Sequence, residues 1–239
     1  MKITTILFDL DGTLLPMDQD VFINEYFKRI SAKLAPFGYE PKSLINLIWK
    51  GTELMIRNNG DKTNEEVFWD FAVKETGDKI TRDKIYFDEF YESEFDKIKE
   101  VCGFNEKAPK TVKYLKDNGY KVALATNPVF PARATKWRIG WAGLTPDDFE
   151  LVTTYENINH SKPNPQYYLD VANKLGVSPE ECLMVGNDVG DDMVARNVGM
   201  KVFLLTDCLI NKKNEDISNY PNGNFDDLLN YITSFENEN

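Results

Sequence analysis

The sequence has few of the residues that build disulfide frameworks and zinc sites. Its 239 residues include three cysteines and one histidine. Cys102, Cys182 and Cys208 lie far apart and form no Cys-x-x-Cys pair, which argues against both kinds of site and favours reduced thiols. The chain has no run of roughly 18 apolar residues that would predict a transmembrane helix. No signal-peptide pattern precedes the first strand-like segment, so we predict a cytoplasmic protein.

Positive charge is also scarce. The chain has 28 Lys and Arg residues against 39 Asp and Glu, a formal net charge of -11. This excess of negative charge disfavours nucleic acid and anionic membranes as partners. An acidic enzyme that acts on a phosphate must supply positive charge locally, so a metal ion and a well-placed lysine become the features to look for.

The sequence does contain an apolar strand that ends in two carboxylates. The apolar run over residues 3–8 is followed directly by Asp9, Leu10 and Asp11, then by a glycine. Residues i and i+2 of a strand point to the same side, so Asp9 and Asp11 are expected to be neighbours. Two carboxylates that close need a cation, a shared proton or water, and a hard divalent metal with oxygen ligands fits well. The alternative is an ordinary Asp-Gly turn.

The pattern of apolar residues divides the chain into two parts. From about Met17 to Val101, apolar residues recur at helical spacing and no convincing strand occurs. Beyond this block, short apolar strands alternate with helices, which is typical of a parallel sheet. We therefore predict an α/β fold, a Rossmann-like parallel sheet with helices on both faces, plus an inserted α-helical domain. The predicted core is 1–16 with 102–239, and the predicted helical domain is 17–101.

Polar residues follow the predicted strands. After the first strand, strands are predicted over 121–126, 150–154, 181–186 and 201–205, and a helix over 189–198. The polar residues at the strand ends and in the loops are Thr126, Asn127, Lys162, Asn187, Asp188, Asp191 and Asp192. The carboxyl ends of parallel strands meet at one edge of a sheet, where such sheets bind ligands. We therefore expect these residues to converge on Asp9 and Asp11.

In order and placement, these motifs resemble those of the haloacid dehalogenase superfamily, in particular its phosphatases. The matching segments are Asp9-Leu10-Asp11-Gly12-Thr13-Leu14, Leu124-Ala125-Thr126-Asn127, Lys162-Pro163 and Val185-Gly186-Asn187-Asp188 to Asp192. The helical block lies where this superfamily places one type of cap domain. The resemblance therefore implies a Rossmann-like catalytic core, a helical cap domain at 17–101 and Mg²⁺ as the cofactor.

The resemblance implies a role for each matching residue. Asp9 would attack phosphorus and become an aspartyl phosphate, a known form of covalent catalysis. Asp11 would protonate the leaving oxygen and then take a proton from the hydrolytic water. Thr126, Asn127 and Lys162 would bind the phosphate, and Lys162 would also pair with Asp9.

The resemblance also implies a metal site. The ligands would be Asp9, the backbone carbonyl of Asp11, and Asp188 from the last acidic cluster. Carboxylate, carbonyl and water oxygens are the ligands that Mg²⁺ favours.

The last acidic cluster departs from the superfamily pattern. Many relatives have Asp directly after the motif glycine, where this chain has Asn187. The assignment among Asn187, Asp188, Asp191 and Asp192 therefore stays open. Asp188 and Asp192 are spaced i,i+4 and would share one face of a helix. We favour Asp188 as the metal ligand and Asp192, with Asn187, as supporting residues, Asp192 also orienting Lys162.

The predicted function is a Mg²⁺-dependent phosphatase that hydrolyses a small soluble phosphomonoester through an aspartyl-phosphate intermediate. Two alternatives remain: a phosphomutase of the same superfamily, and a non-catalytic phospho-acceptor or binding module. The expected partner is a small-molecule phosphate, without nucleic acid or membrane, and the protein is expected to be a monomer or a homodimer.

Overall fold

A parallel sheet forms the centre of the structure, a computed structural model that describes residues 2–236. Its strands are β1 (Thr5–Phe8), β2 (Lys121–Leu124), β3 (Cys182–Gly186), β4 (Lys201–Leu205) and β5 (Asn222–Gly223). Their order across the sheet is β2-β1-β3-β4-β5. In register, Thr5 pairs with Lys121 on one side and with Cys182 on the other. The residues that follow β1 therefore leave the sheet between the ends of β2 and β3.

The chain between β1 and β2 is helical. It contains α1 (Gln19–Leu34), α2 (Pro41–Ile56), α3 (Asn64–Thr76) and α4 (Asp78–Glu89), then a π-helical turn at Phe90–Glu94 and a 3₁₀ stretch at Phe95–Val101. Its two ends lie side by side, because Met17 and Cys102 form an antiparallel bridge. The Gly103 N–H also donates to the Pro16 carbonyl at 2.7 Å. We call residues 17–101 the helical segment.

Helices cover both faces of the sheet. They are α5 (Lys107–Asp117), α6 (Ala132–Trp141), α7 (Pro165–Leu175) and α8 (Phe225–Glu236). Ile6 and Phe8 of β1 belong to one apolar cluster, which includes residues of α5, α6 and α8, whereas Leu7 belongs to a second cluster with α7. The predicted Rossmann-like α/β fold is confirmed. Within residues 2–236, no helix is long and apolar enough to cross a membrane.

The helical segment and the sheet side of the molecule share one continuous apolar cluster. The first apolar cluster contains Phe22 and Ile48 from the helical segment together with Ile6 and Leu115 from the sheet side. The division into two domains therefore stays a prediction.

The predicted strand at 150–154 is not a regular strand. It runs beside β2 and forms one bridge, between Leu124 and Val152, with the Leu124 N–H donating to the Leu151 carbonyl at 2.8 Å. The side-chain amide of Asn157 bonds the next backbone groups, which are then not available for strand pairing. It donates to the Val152 carbonyl and accepts from the Thr154 N–H, both at 2.9 Å. Side-chain hydrogen bonds of this kind compete with strand pairing.

The predicted helix at 189–198 is also wrong over its first half. Only Met193–Val198 is helical, as a 3₁₀ stretch. The Asp188 carboxylate accepts the N–H groups of Gly190 at 2.7 Å and Asp191 at 3.0 Å. These bonds fold the chain into a turn directly after β3, so Asp188 and Asp192 do not share a helix face.

Candidate active site

A buried lysine joins two carboxylates at the carboxyl edge of the sheet. Asp9 follows β1, Lys162 lies in the loop before α7, and Asp192 ends the turn after β3. Lys162 Nζ lies 2.8 Å from Asp9 Oδ1 and 2.6 Å from Asp192 Oδ1. Lys162 and Asp192 are each 1% exposed and Asp9 is 7% exposed. Buried charges require this kind of pairing, so the three groups hold one another in place.

Two glycines let the loops at this edge approach each other closely. A Cβ on Gly186 would lie 2.1 Å from Asp192 Oδ2. Gly12 has a φ of +85°, and a Cβ there would lie 2.4 Å from Asn187 Nδ2. The Thr13 hydroxyl donates to Asn187 Oδ1 at 2.9 Å. Asn187 therefore ties the loop after β1 to the loop after β3.

Asp188 lies in the turn that leads from β3 to Asp192. Its backbone N–H donates to Asp192 Oδ2 at 2.9 Å, so the same carboxylate that pairs with Lys162 also positions Asp188. Asp188 and Asp191 line the same cleft as Asp9.

Thr126 and Asn127 follow β2 and line this cleft from the other side. The Thr126 carbonyl accepts hydrogen bonds from the Thr153 hydroxyl at 2.7 Å and the Tyr167 hydroxyl at 2.8 Å, which fix the loop. Asn127 Oδ1 is buried and has no hydrogen-bond partner within the described protein. A polar atom in that state needs a partner from elsewhere, such as a bound ligand.

Asp11 is held by a residue that sequence analysis missed. The guanidinium of Arg138, on α6, donates to Asp11 Oδ2 in a short ion pair, and Arg138 is only 1% exposed. Arg138 also donates to Thr135 Oγ1 at 3.2 Å and lies over the Phe130 ring, 4.6 Å from its centroid. Its sequence signal is an arginine four residues after Ala134 on the buried face of a helix, a position where a charge requires a partner.

Burial and neighbouring charges shift the pKa values at this edge. Burial raises the pKa of Asp11, although Arg138 opposes part of the shift. Burial also raises the pKa of Asp192 to about 7, against the charge of Lys162. For Lys162 itself, burial acts to lower the pKa, but Asp192 and Asp9 outweigh it and hold that pKa well above its ordinary value. Lys162 is therefore a permanent cation, and Asp11 is suited to carry a proton.

The edge opens into a cleft of about 580 Å³ whose lining charge is strongly one-sided. The helical segment forms its other wall, with Asn24, Trp49 and Thr52 among the lining residues. Six carboxylates and two lysines line it: Asp9, Asp11, Asp20, Asp188, Asp191 and Asp192, with Lys162 and Lys212. A phosphate dianion would be repelled by this excess unless a further cation offset it.

The donors in the cleft suit a magnesium ion that a substrate helps to hold. Within residues 2–236, no group of three or more His, Cys, Asp or Glu side chains is arranged to bind a metal by itself. Mg²⁺ usually needs only one or two carboxylates, with water and substrate phosphate oxygens completing its shell. Asp9 and Asp188 meet that smaller requirement, and a divalent cation would offset the excess negative charge.

Comparison with known proteins identifies the family. Residues 3–199 match the family described as haloacid dehalogenase-like hydrolase. The chain belongs to this family. The predicted membership of the haloacid dehalogenase superfamily and the predicted phosphatase-type hydrolase class are thereby confirmed.

Several members of this family can be compared directly. Pyrophosphatase PpaX of Bacillus cereus is 27% identical over 201 residues, 84% of this chain and 82% of that protein. YhcW of Bacillus subtilis, named as a candidate phosphatase, is 39% identical over 93 residues, but the match spans only 38% of this chain and 40% of that protein.

Solved structures of the family share the fold. A predicted phosphoglycolate phosphatase from Haemophilus somnus has a TM-score of 0.59 at 21% identity, covering 97% of this chain and 98% of that one. A β-phosphoglucomutase from Clostridium difficile has a TM-score of 0.58 at 18% identity, covering 99% and 98%. At these identities the likeness establishes the architecture and leaves the substrate open.

Proposed function

We propose that this hydrolase is a Mg²⁺-dependent phosphatase that cleaves a small soluble phosphomonoester through a phosphorylated Asp9. The observation that carries the proposal is the buried cluster of Asp9, Lys162 and Asp192 at the sheet edge. Lys162 pairs with Asp9 and orients it as a nucleophile, and Asp11, two residues on, has its pKa raised by burial as a general acid requires.

The residues at the edge divide the reaction between them. An Asp9 oxygen attacks phosphorus while the bond to the ester oxygen breaks, and Asp11 gives that oxygen its proton. Asp11 then takes a proton from the water that attacks the aspartyl phosphate, releasing inorganic phosphate and regenerating Asp9. Lys162, Thr126 and Asn127 hold the phosphoryl oxygens, whose charge must be neutralised in the transition state.

The metal ligands in this proposal are Asp9, the Asp11 carbonyl and Asp188. A bound Mg²⁺ supplies the positive charge that brings a phosphate dianion into a cleft lined by six carboxylates. Asp192 and Asn187 act as supporting residues, since Asp192 bonds both Lys162 and the Asp188 N–H, and Asn187 bonds Thr13.

We also propose that residues 17–101 act as a cap over the site. The bridge between Met17 and Cys102 supports this, because it brings the two ends of the segment together. A segment whose two connections to the rest of the chain lie side by side can move as one unit. The cytoplasm is the proposed location, since the three cysteines are all unpaired.

The first test is hydrolysis of p-nitrophenyl phosphate and a panel of metabolite phosphates, with Mg²⁺ and with EDTA. We expect phosphate release that requires Mg²⁺ and is abolished in Asp9→Asn. The matched control is Asp147→Asn, which removes an exposed carboxylate that does not line the cleft and should leave turnover unchanged. Isomerised hexose phosphate without net phosphate release would instead identify a phosphomutase.

A further inference from the structure

A second cavity lies beside the cleft, between the helical segment and loops of the sheet side. Its volume is about 80 Å³, and its walls are mostly aromatic and aliphatic side chains of α1 to α4 and the π-helical turn, together with residues of the loops that follow β2. Phe27, Ile30, Met55 and Phe68 are typical of its lining, and all are buried. No charged side chain is among the described lining residues.

The cavity adjoins the cleft that holds Asp9. Five residues line both spaces: Ile23, Trp49, Thr52, Val129 and Phe130. The cavity therefore lies next to the space in which a phosphate ester at Asp9 would place its leaving group.

Trp49 marks the junction between the two spaces. Its side chain is 51% exposed although it is one of the largest apolar groups in the chain, and its ring lies 5.4 Å from that of Phe27. Trp49, Thr52 and Ile56 are spaced at i, i+3 and i+7 on α2 and all line the cleft. A half-exposed tryptophan at the mouth of an apolar cavity is an arrangement that suits contact with an apolar ligand.

The tyrosine hydroxyls and the Trp69 indole N–H of the cavity are already partnered. The hydroxyls of Tyr26 and Tyr91 bond each other at 2.9 Å, and Trp69 Nε1 donates to the Tyr155 hydroxyl at 3.4 Å. A ligand with several hydroxyls or a second charge would lose its water there without gaining partners, whereas an alkyl or aryl group would lose nothing.

We propose that this cavity receives the apolar leaving group of the phosphate ester, so that the substrates are alkyl or aryl phosphomonoesters. This inference rests on the proposed phosphatase function. A dry cavity of about 150 Å³ holds benzene, so the smaller cavity of about 80 Å³ found here accepts a chain of about three or four carbons. A substrate with a second anionic group, such as a glycolate or a diphosphate, meets a cleft in which six carboxylates face two lysines.

The test is a series of n-alkyl phosphates from methyl to butyl, compared with glycerol phosphate, phosphoglycolate and pyrophosphate. From ethyl to butyl the leaving alcohols differ little in acidity, so a trend within that range reports binding. We expect kcat/KM to rise about fourfold per methylene, the gain for burying one such group. A flat or falling series, or a preference for phosphoglycolate or pyrophosphate, would overturn the inference.

Alkylphosphonates provide a readout that does not depend on turnover, because their carbon–phosphorus bond is not hydrolysed. Their dissociation constants, measured by calorimetry on the wild-type protein with Mg²⁺, should fall with chain length by the same factor. If they do so while no ester is hydrolysed, the phosphatase proposal fails and the apolar subsite survives. If esters are hydrolysed and chain length has no effect, the subsite fails and the phosphatase proposal survives.

A pair of variants on one helix locates the effect. Trp49→Ala should reduce the ratio of kcat/KM for butyl phosphate to kcat/KM for methyl phosphate by about three- to tenfold, because it removes apolar contact area at the mouth of the cavity. Leu54→Ala is the matched control: Leu54 lies on the same helix, is 40% exposed and lies outside both linings, so the ratio should stay unchanged. An unchanged ratio in Trp49→Ala would contradict the proposed position of the leaving group.

Discussion

The two walls of the cleft differ in the side chains that they present. The sheet wall carries buried charges held in fixed geometry, with Lys162 bonded to both Asp9 and Asp192 and with Gly186 allowing their close approach. The helical wall adds aromatic and aliphatic side chains, including the half-exposed Trp49, beside the polar residues Gln19, Asp20 and Asn24. Phosphate chemistry needs positioned charge, whereas recognition of a leaving group needs shape and apolar contact. In the proposed phosphatase, the sheet wall carries out the reaction and the helical wall selects the leaving group.

The two walls are nevertheless joined by a buried polar contact. Asn64, at the start of α3, donates to the Pro128 carbonyl at 3.0 Å and to Ser161 Oγ at 2.9 Å, and it accepts from Asn58 at 2.8 Å. Ser161 is the neighbour of Lys162 in the chain. The position of the helical wall is thus tied to the loop that carries Lys162.

The largest effect is expected from removing the cation of the sheet wall. Lys162→Met leaves Asp9 and Asp192 buried and facing each other without a counter-charge. We expect p-nitrophenyl phosphate turnover to fall by about 10²–10³-fold or more and the free energy of unfolding to fall by about 3–5 kcal/mol. Turnover assays and urea denaturation measure the two losses. Lys110→Met, at an exposed pair, should change neither, and similar behaviour of the two variants would contradict the charge assignment.

The next largest effect is expected at Arg138. Arg138→Met removes the partner of Asp11 while keeping most of the side-chain volume. Asp11 then loses the group that holds it in place, and without the nearby cation its pKa should rise further, which favours the protonated form that cannot act as the base of the second step. We expect a fall in kcat of about tenfold or more, within the range of general acid–base contributions. Arg138→Lys should restore part of it, because a cation returns to the same site. Full activity in Arg138→Met would show that the ion pair has no part in positioning Asp11.

A smaller effect is expected at Asn64, which links the two walls by hydrogen bonds. Asn64→Ala removes the partner of three buried polar groups, and we expect the free energy of unfolding to fall by about 1–3 kcal/mol. Thermal or urea unfolding measures it. The control Asn46→Ala, at an exposed position of α2, should stay within about 0.5 kcal/mol of wild type. A single cooperative transition in both variants would show that the walls unfold together, and two separate transitions would show that they do not.

The smallest effect concerns the alkylation rates of two thiols, Cys102 and Cys182. Burial raises the pKa of Cys102, at the chain crossing, to about 11 and that of Cys182, in β3, to about 12. The thiolate is the reactive form, so below these values alkylation should accelerate about tenfold per pH unit as the pH rises. Peptide mapping after iodoacetamide treatment should show Cys102 reacting before the fully buried Cys182. Faster labelling of Cys182 would indicate that the sheet opens before the crossing does.

The fold and the residues at the strand ends were predictable because they depend on short-range patterns. Short, nearly continuous apolar runs mark the strands, and the topology of a parallel sheet brings Asp9, Thr126 and Asp188 to one edge. Arg138 was not predictable in the same way, since its partner Asp11 is 127 residues away and α6 reads as an ordinary helix. The apolar cavity depends on how side chains of four helices pack against the loops after β2, which no local pattern encodes.

The irregular turns were missed for a related reason. The Asn157 amide bonds backbone groups of residues 152–154, and the Asp188 carboxylate bonds those of residues 190 and 191. Single polar side chains therefore override the local preference for a strand or a helix.

The central claim is that Asp9 carries the phosphoryl group, and the most direct test is to trap it there. In Asp11→Asn the water that breaks down the intermediate has no general base, whereas p-nitrophenolate can leave without receiving a proton from Asp11. The phosphorylated protein should therefore accumulate when p-nitrophenyl phosphate and Mg²⁺ are added. Mass spectrometry of the rapidly quenched protein should place one phosphoryl group on Asp9, and Asp9→Asn should acquire none. A phosphoryl group on any other residue, or steady turnover in Asp9→Asn, would contradict the account.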